Sequence, residues 1–274
     1  MQQSLLAFEQ VYYTYPGTQK SVLNGITLQI PQGKKCALIG RNGCGKTTLF
    51  SLANGLYKPQ QGRVYWHDKA IQYDRKNLMQ LRQKVGLVFQ NPEQQLVAST
   101  VEEDISYGLC NLGLPIAEIQ QRVTQALREF QLTELAERPI HHLSLGQKKR
   151  VSLADVMVLR PELLLLDEPT AYLDRPQSRN LMAMLNKIYQ SGTTIIMASH
   201  DLDLVYCWSD WIFVMDAGRL ILEGKPEDIF SQREILDSIE LGLPPVYEIF
   251  ITKELATKEH NSENFRQKIL QFFC

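Results

Sequence analysis

Apolar residues along this chain form short continuous runs that are each followed by polar residues. Such runs occur at 36–39, 85–89, 163–166 and 193–198. Continuous apolar runs are typical of central parallel strands that are covered on both faces. Residues 4–30 instead alternate apolar and polar positions, which predicts two strands with one exposed face. The pattern therefore predicts an α/β fold with a buried parallel sheet.

Helical patterns interrupt these strands in the middle of the chain. Thr100 and Glu103 have the spacing of a helix N-cap and its capping-box partner, and apolar residues recur at helical spacing over 116–130. We therefore interpret residues 91–159 as a helical insert in the sheet domain. The same reasoning predicts helices at 75–84, at 176–190 and from Pro226, and a hairpin around Ala217-Gly218.

Composition and charge limit the classes of partner. The chain has 274 residues and a formal net charge of −1, which does not favour a nucleic-acid partner. Its five scattered cysteines fit a reducing compartment without structural zinc. Neither a signal peptide nor an apolar run of roughly 20 residues is evident, so we expect any membrane association to go through a partner.

Residues 40–47 carry the pattern G-x-x-x-x-G-K-T between a buried strand and helix-forming residues. Glycines let successive backbone N–H groups turn toward one anion, and the N-terminus of the next helix adds partial positive charge. Lys46 would reach the β- and γ-phosphates of a nucleotide, and Thr47 would ligate Mg²⁺. The predicted nucleotide contacts are Gly40, Arg41, Asn42, Gly43, Cys44, Gly45, Lys46, Thr47 and Thr48.

Four more polar residues directly follow buried strands, where ligands bind in open α/β sheets. Asp167 and Glu168 end one apolar run, while Gln90 and His200 follow two others. Asp167 would hold the Mg²⁺ shell, and Glu168 would face an attacking water. His200 is a candidate catalytic residue or a structural histidine.

Three features each have two interpretations. Cys44 is either a reactive thiol or a small residue filling the loop. Tyr15 either stacks on a purine base or packs against neighbours. Ser144 and Gly146 form either a second anion site at a helix N-terminus or an ordinary helix cap.

In their order along residues 4–230, these motifs resemble the nucleotide-binding subunit of ATP-binding cassette (ABC) transporters. The matching motifs are Walker A at 40–47, the Q-loop Gln90, the signature from Leu143 to Gln147, Walker B from Leu163 to Glu168, the D-loop from Ala171 to Asp174, the switch His200 and the adenine-stacking Tyr15. Leu145 and Tyr172 each replace a glycine of the family pattern.

This resemblance implies a P-loop NTPase (RecA-like) core with a mixed sheet, an antiparallel β subdomain and an inserted α-helical subdomain. It implies ATP hydrolysis, with ATP and Mg²⁺ bound. The implied catalytic residues are Lys46, Gln90, Glu168 and His200, and the implied Mg²⁺ ligands are Thr47, Gln90 and Asp167.

Subunits of this family pair head to tail, so the resemblance also implies a second ATPase subunit, either an identical chain or a paralogue. The signature residues Ser144, Gly146 and Gln147 would contact the nucleotide of that second subunit, and Asp174 would lie in the D-loop beside them. Residues 231–274 would be a C-terminal extension that takes part in the dimer contact.

Several segments look like the ATPases of energy-coupling-factor (ECF) importers, including 92–95, 100–108, 111–115 and 146–150. Residues 73–78 look most like the cobalt/nickel branch. The implied partners are integral membrane ECF transmembrane and substrate-binding subunits, and the chain would lie on the cytoplasmic face of the cell membrane.

Two other functions remain open. An ECF importer of a vitamin would use the same ATPase with another substrate. A soluble ABC ATPase acting on DNA or ribosomes is an alternative of another class, although residues 91–159 show no sustained heptads and the chain carries one cassette.

Overall fold

The computed structural model describes residues 4–257. Its strands are β1 (Ser4–Thr14), β2 (Ser21–Pro31), β3 (Lys35–Gly40), β4 (Gln61–Trp66), β5 (Lys69–Ala70), β6 (Val85–Val88), β7 (Leu163–Asp167), β8 (Thr194–Ala198), β9 (Trp211–Asp216) and β10 (Arg219–Gly224). Its helices are α1 (Lys46–Ala53), α2 (Arg75–Lys84), α3 (Val101–Asn111), α4 (Ile116–Glu129), α5 (Leu145–Met157), α6 (Arg175–Gln190), α7 (Leu202–Trp208), α8 (Pro226–Phe230), α9 (Arg233–Ser238) and α10 (Pro245–Thr257).

The larger sheet has the strand order β10-β9-β3-β8-β7-β6. Five neighbouring strands run parallel, and β10 joins β9 as an antiparallel edge strand. The apolar residues of β7 are buried along its whole length, as its four consecutive leucines require. The carboxyl ends of the parallel strands therefore share one edge, and this edge carries the candidate site.

A second sheet of four antiparallel strands has the order β2-β1-β4-β5. Helix α1 contributes Leu49 and Phe50 to a core that also contains Leu6 and Leu23 of this sheet and Phe213 of the larger one. The two sheets thus share one apolar core. The predicted α/β class, with a mixed sheet and a separate antiparallel sheet, is confirmed.

Helices α3, α4 and α5 form a second apolar core with β7 and α6. The side chain of Thr100 accepts a hydrogen bond from Glu103 N, and Glu103 reaches back to Thr100 N, so the predicted capping box is confirmed. The limits 91–159 for an inserted subdomain stay a prediction.

The C-terminal helices pack on α7. Tyr206, Phe230 and Tyr247 form a cluster of edge-on and tilted rings, and Val246 N donates to Asp203 Oδ1 at 2.9 Å. Of the predicted extension 231–274, residues 258–274 lie outside the described part, and its dimer role stays a prediction. Within residues 4–257, no helix combines the length and apolar character needed to cross a bilayer.

Candidate nucleotide-binding and hydrolytic site

The loop from Gly40 to Lys46 joins β3 to α1 in the strand–turn–helix order that the motif requires. Gly40 has φ 151°, and a methyl group there would overlap the Met215 carbonyl oxygen. Gly45, with φ 108°, directly precedes the helix. The loop therefore closes tightly against β9 because residue 40 lacks a side chain.

Lys46 places its ammonium group inside this loop. The side chain is buried, and Nζ donates to the carbonyl oxygens of Gly40 at 2.7 Å and Arg41 at 3.3 Å. A cation surrounded by the turn of an anion-binding loop is placed to meet phosphate oxygens.

Thr47 and Asp167 bring two oxygen ligands together. The Thr47 hydroxyl donates to Asp167 Oδ2 at 2.5 Å. Burial raises the pKa of Asp167, while the Thr47 hydrogen bond and the charge of Lys46 act in the opposite direction. A hydroxyl and a carboxylate are hard oxygen donors of the kind that Mg²⁺ prefers, so the predicted pair fits that ion.

Glu168 is held in an unusual conformation beside His200. Its φ is 47°, in the left-handed region that non-glycine residues seldom occupy. Oε2 lies 2.8 Å from His200 Nδ1, whereas Oε1 is buried and has no hydrogen-bond partner within residues 4–257. An orphaned buried carboxylate oxygen at a cleft is suited to accept a proton from a reactant.

These groups line one cleft of about 470 Å³. Predicted site residues on its wall are Tyr15, Asn42, Gly43, Gly45, Lys46, Thr47, Thr48, Gln90, Asp167, Glu168 and His200. The cleft thus collects the ends of β3, β6, β7 and β8 at one sheet edge, where the sequence predicted the site.

Two residues of the phosphate loop face elsewhere. Cys44 is 4% exposed, and burial raises the pKa of its thiol, which favours the loop-filling interpretation over a reactive thiol. Arg41 forms an ion pair with Glu240, with Nη2 to Oε2 at 2.9 Å. That pair links the loop to the C-terminal segment, which the sequence did not predict.

Tyr15 lies at the rim of the cleft. Its hydroxyl and Thr48 Oγ1 are 2.8 Å apart, and its ring packs edge-on against Tyr13 and Tyr57. The packing interpretation is therefore confirmed, and stacking on a base stays a prediction.

The signature residues lie in a different cleft, of about 310 Å³. Ser144 caps α5: its hydroxyl accepts from Gln147 N, and the Gln147 side chain accepts from Ser144 N. The cap interpretation is confirmed, and an anion site there stays a prediction. The side chain of Gln177 packs directly over Gly146, so closely that a methyl group at Gly146 would be 2.6 Å from Gln177 Oε1.

The segment between β7 and α6 contains the predicted D-loop. Asp174 caps α6 by accepting a hydrogen bond from Gln177 N at 2.8 Å. Tyr172 has φ 64° and is 83% exposed. Tyr172 thus adopts a left-handed conformation, which glycine adopts most readily, at the position where the family pattern has glycine.

Lys149 is a site residue that the sequence reasoning missed. It is 5% exposed, and Nζ donates to the carbonyl oxygens of Glu168 at 3.1 Å and Pro169 at 2.8 Å. Burial lowers the pKa of Lys149 to about 8, against the opposing charges of Glu168 and Asp167. Its position in a run of three basic residues suggests a solvated face, and nothing local in the sequence indicates burial.

Comparison with known proteins gives one family. The profile of the ABC transporter family matches residues 23–171. An ABC transporter ATP-binding protein of Nostoc sp. strain PCC 7120 is 94% identical over 274 residues, which is 100% of both chains. An energy-coupling factor transporter ATP-binding protein of Methanocaldococcus jannaschii is 42% identical over 254 residues, covering 92% of this chain and 89% of the other.

Solved structures agree with these relatives. The chain is similar to cbiO1 of Clostridium perfringens, part of the ABC transporter complex cbiONQ, with a TM-score of 0.76, 41% identity and coverage of 90% of this chain and 99% of the other. It is also similar to a dimeric ATP-binding cassette in a post-hydrolysis state with ADP and Pi, with a TM-score of 0.73, 26% identity and coverage of 81% and 98%.

Proposed function

Because the chain belongs to the family of ABC transporter ATPases, we propose that it energises an ECF importer of cobalt or nickel ions. Family membership makes it an ATP-hydrolysing protein that binds ATP with Mg²⁺, and its relatives make it an ATP-binding subunit of an ABC/ECF-type transporter. The observation that carries the catalytic part is the convergence of Lys46, Asp167, Glu168 and His200 on one cleft.

The phosphate loop binds the nucleotide in this proposal. Backbone N–H groups of residues 40–48 and the ammonium group of Lys46 receive the phosphate oxygens, and the ring of Tyr15 receives the base. Thr47, Asp167 and Gln90 would hold Mg²⁺, which neutralises developing charge on the phosphates. Most of the catalysis then comes from positioning and charge.

Glu168 is the general base for water, and His200 contacts the γ-phosphate. The support is geometric: one carboxylate oxygen of Glu168 is held by His200, and the other is buried with no hydrogen-bond partner among residues 4–257. A base must lie within hydrogen-bond reach of the proton that it accepts, and Oε1 carries no hydrogen bond there that a water would have to displace.

Each chain supplies two half-sites and needs a second copy or a paralogue to complete either. The signature cleft is separate from the phosphate-loop cleft, so Ser144, Gly146 and Gln147 would serve the partner's nucleotide. Asp174 and the D-loop would lie at this interface. ATP closes the pair and hydrolysis opens it, as ligand affinity differs between the two states.

The transport partners are integral membrane ECF subunits, which hold the chain on the cytoplasmic face of the membrane. The loop 90–99 between the sheet and the helices α3–α5 is the proposed docking groove. Val97, 69% exposed, presents an apolar side chain there. The substrate assignment rests on residues 73–78, which resemble the cobalt/nickel branch; a vitamin importer is the second candidate.

The catalytic proposal is tested with Glu168→Gln. We expect this variant to bind ATP and to form an ATP-dependent dimer, while its hydrolysis falls about 100-fold or more because the base is lost. Glu162→Gln, at the opposite end of β7 and outside the cleft, is the matched control. Unchanged hydrolysis by Glu168→Gln in a phosphate-release assay would show that the base is another residue.

The transport proposal is tested by purification of the tagged chain from membranes. We expect an integral membrane protein to co-purify and to take up labelled cobalt or nickel in reconstituted vesicles. Vitamin uptake by the same complex would favour the second candidate. Recovery of the chain with ribosomes would favour the soluble class of ABC ATPase.

A further inference from the structure

Lys149 connects the signature helix α5 to the end of strand β7, which carries the proposed catalytic base. It lies on α5, whose N-terminus is formed by the signature residue Ser144. Its ammonium group donates to the backbone carbonyl oxygens of Glu168 and Pro169, at the end of β7. One buried side chain thus bridges the signature helix and the peptide that carries the proposed base.

The bridge holds backbone that would otherwise relax. Glu168 has a left-handed φ of 47°, which costs of order 1–3 kcal/mol and persists only when the surroundings enforce it. Lys149 supplies two hydrogen bonds to carbonyl oxygens at this position, and hydrogen bonds from a charged donor are roughly twice as strong as neutral ones. Lys149 thus adds to the backbone hydrogen bonds that Glu168 makes with Ala171 and Ala198.

Continuous helical backbone of α5 joins Ser144, at its N-terminus, to Lys149 in its second turn. Lys149 lies five positions after Ser144, about 7.5 Å along the axis at 1.5 Å per residue. A shift of the capped N-terminus would therefore move the Lys149 amine, and with it the carbonyl groups that it holds.

We propose that Lys149 is a positioning residue that couples closure of the signature helix on a partner's nucleotide to the orientation of Glu168 in its own chain. This inference rests on the proposed function, since it requires the head-to-tail pair. It makes each hydrolytic site responsive to nucleotide in the other.

The first test compares Lys149→Met with Lys148→Met. Lys148 lies on the same helix as Lys149, but its amine pairs with Glu93 at 2.8 Å and points away from Glu168. We expect Lys149→Met to lower kcat about tenfold or more, as expected when a reacting group is misplaced, with KM for ATP and ATP-dependent dimerisation unchanged. Lys148→Met keeps the wild-type kcat. An unchanged kcat in Lys149→Met overturns the proposal.

The second test uses mixed dimers purified through two different tags. One dimer carries Lys149→Met and Glu168→Gln in the same chain beside a wild-type chain. The other carries the two substitutions in opposite chains. In the first dimer the intact Glu168 belongs to the wild-type chain, so we expect this dimer to match dimers of wild type with Glu168→Gln. In the second dimer the intact Glu168 belongs to the Lys149→Met chain. We therefore expect the second dimer to be about tenfold less active than the first, or lower still.

Equal activity of the two dimers would mean that Lys149 supports folding only. Lower activity of the first dimer than of the second would mean that Lys149 acts on the partner's site. Either result overturns the proposal. Should melting curves show that Lys149→Met is unfolded, Lys149→Gln replaces it, since the amide keeps a neutral donor. A wild-type chain that forms an ATP-dependent dimer neither with a second copy nor with a paralogous ATPase subunit would refute the proposed function itself, and the inference with it.

Discussion

Gly40 and Gly43 lie in the same loop but meet different constraints. Both have positive φ, 151° and 79°, yet only Gly40 approaches other atoms so closely that a methyl group would overlap the Met215 carbonyl oxygen. In the described part of the chain, no atom beyond the adjacent residues lies within 4 Å of a methyl group placed at Gly43. The motif requires Gly40 but leaves residue 43 open, and packing likewise constrains Gly40 far more than Gly43.

We therefore expect Gly40→Ala to lower the free energy of unfolding by several kcal/mol and Gly43→Ala by only about 1 kcal/mol. Gly40→Ala combines overlap with backbone, whereas Gly43→Ala carries only the cost of the left-handed conformation. Urea unfolding without nucleotide measures both. Equal losses would mean that the contact of Gly40 with β9 is unimportant for folding.

Residues at strand ends were predictable because a motif fixes their place relative to the sheet. Lys46, Asp167, Glu168 and His200 meet in the predicted cleft. Lys149 and the contact from Arg41 to Glu240 were not predictable, since each depends on a neighbour that is distant in the sequence. Local pattern reports the spacing of residues but not which lysine of a basic run is buried.

At the scale of elements, the loop after β6 is held by two carboxylates, the buried Asp104 of α3 and the half-buried Asp155 of α5. Asp104 Oδ1 accepts from Val97 N and Ala98 N, both at 2.8 Å. Asp155 accepts from Gln95 Nε2 at 3.2 Å. Burial first, and then the charge of Asp104, raises the pKa of Asp155 to about 7. Asp155 therefore holds the proposed docking loop through a carboxyl group that is protonated, and hence neutral, below about pH 7.

This pair gives stability a defined pH dependence. Since the folded pKa of Asp155 lies above its ordinary value of 3.8, the folded state binds more protons between about pH 4 and 7, and its stability falls as pH rises through that window. We expect Asp155→Asn to be more stable than wild type at pH 8, by up to about 4 kcal/mol at ~1.36 kcal/mol per pKa unit, and not at pH 4. Thermal melting across pH checks this.

Asp68→Asn, in an exposed turn, serves as the control and should not change the profile. Parallel wild-type and Asp155→Asn curves from pH 4 to 8 would show that Asp155 does not titrate in that window. The helix boundaries around this pair followed from caps and apolar spacing, but the burial of Asp155 did not, because it depends on packing of α5 against α3.

For the whole molecule, the important feature is that the two clefts are separate in one chain. Lys46 lines the first and Ser144 the second. In the proposed head-to-tail pair, two chains that carry different damaging substitutions would still form one intact composite site, whereas two such chains acting as monomers would both stay inactive. The order of motifs predicted this division, whereas the residues that connect the clefts needed the structure.

We expect Lys46→Ala and Ser144→Arg each to abolish ATP hydrolysis when assayed alone. Lys46→Ala removes the phosphate ligand, and Ser144→Arg places a bulky side chain at the proposed interface. Mixing the two chains should restore part of the activity, with a rate that rises with protein concentration. A mixture that stays inactive, although both chains are folded by circular dichroism, would contradict the shared site.

The amine of Lys46 already occupies the phosphate loop through the carbonyl groups of Gly40 and Arg41. To meet an arriving triphosphate, the Lys46 ammonium group has to leave these two neutral acceptors, which requires a side-chain adjustment instead of refolding of the loop. The rearrangement of Lys46 that accompanies nucleotide binding is then a nanosecond-scale side-chain motion. In the proposed pair of chains, we therefore expect the separation of the two chains, which is the larger movement, to be slower than nucleotide loading.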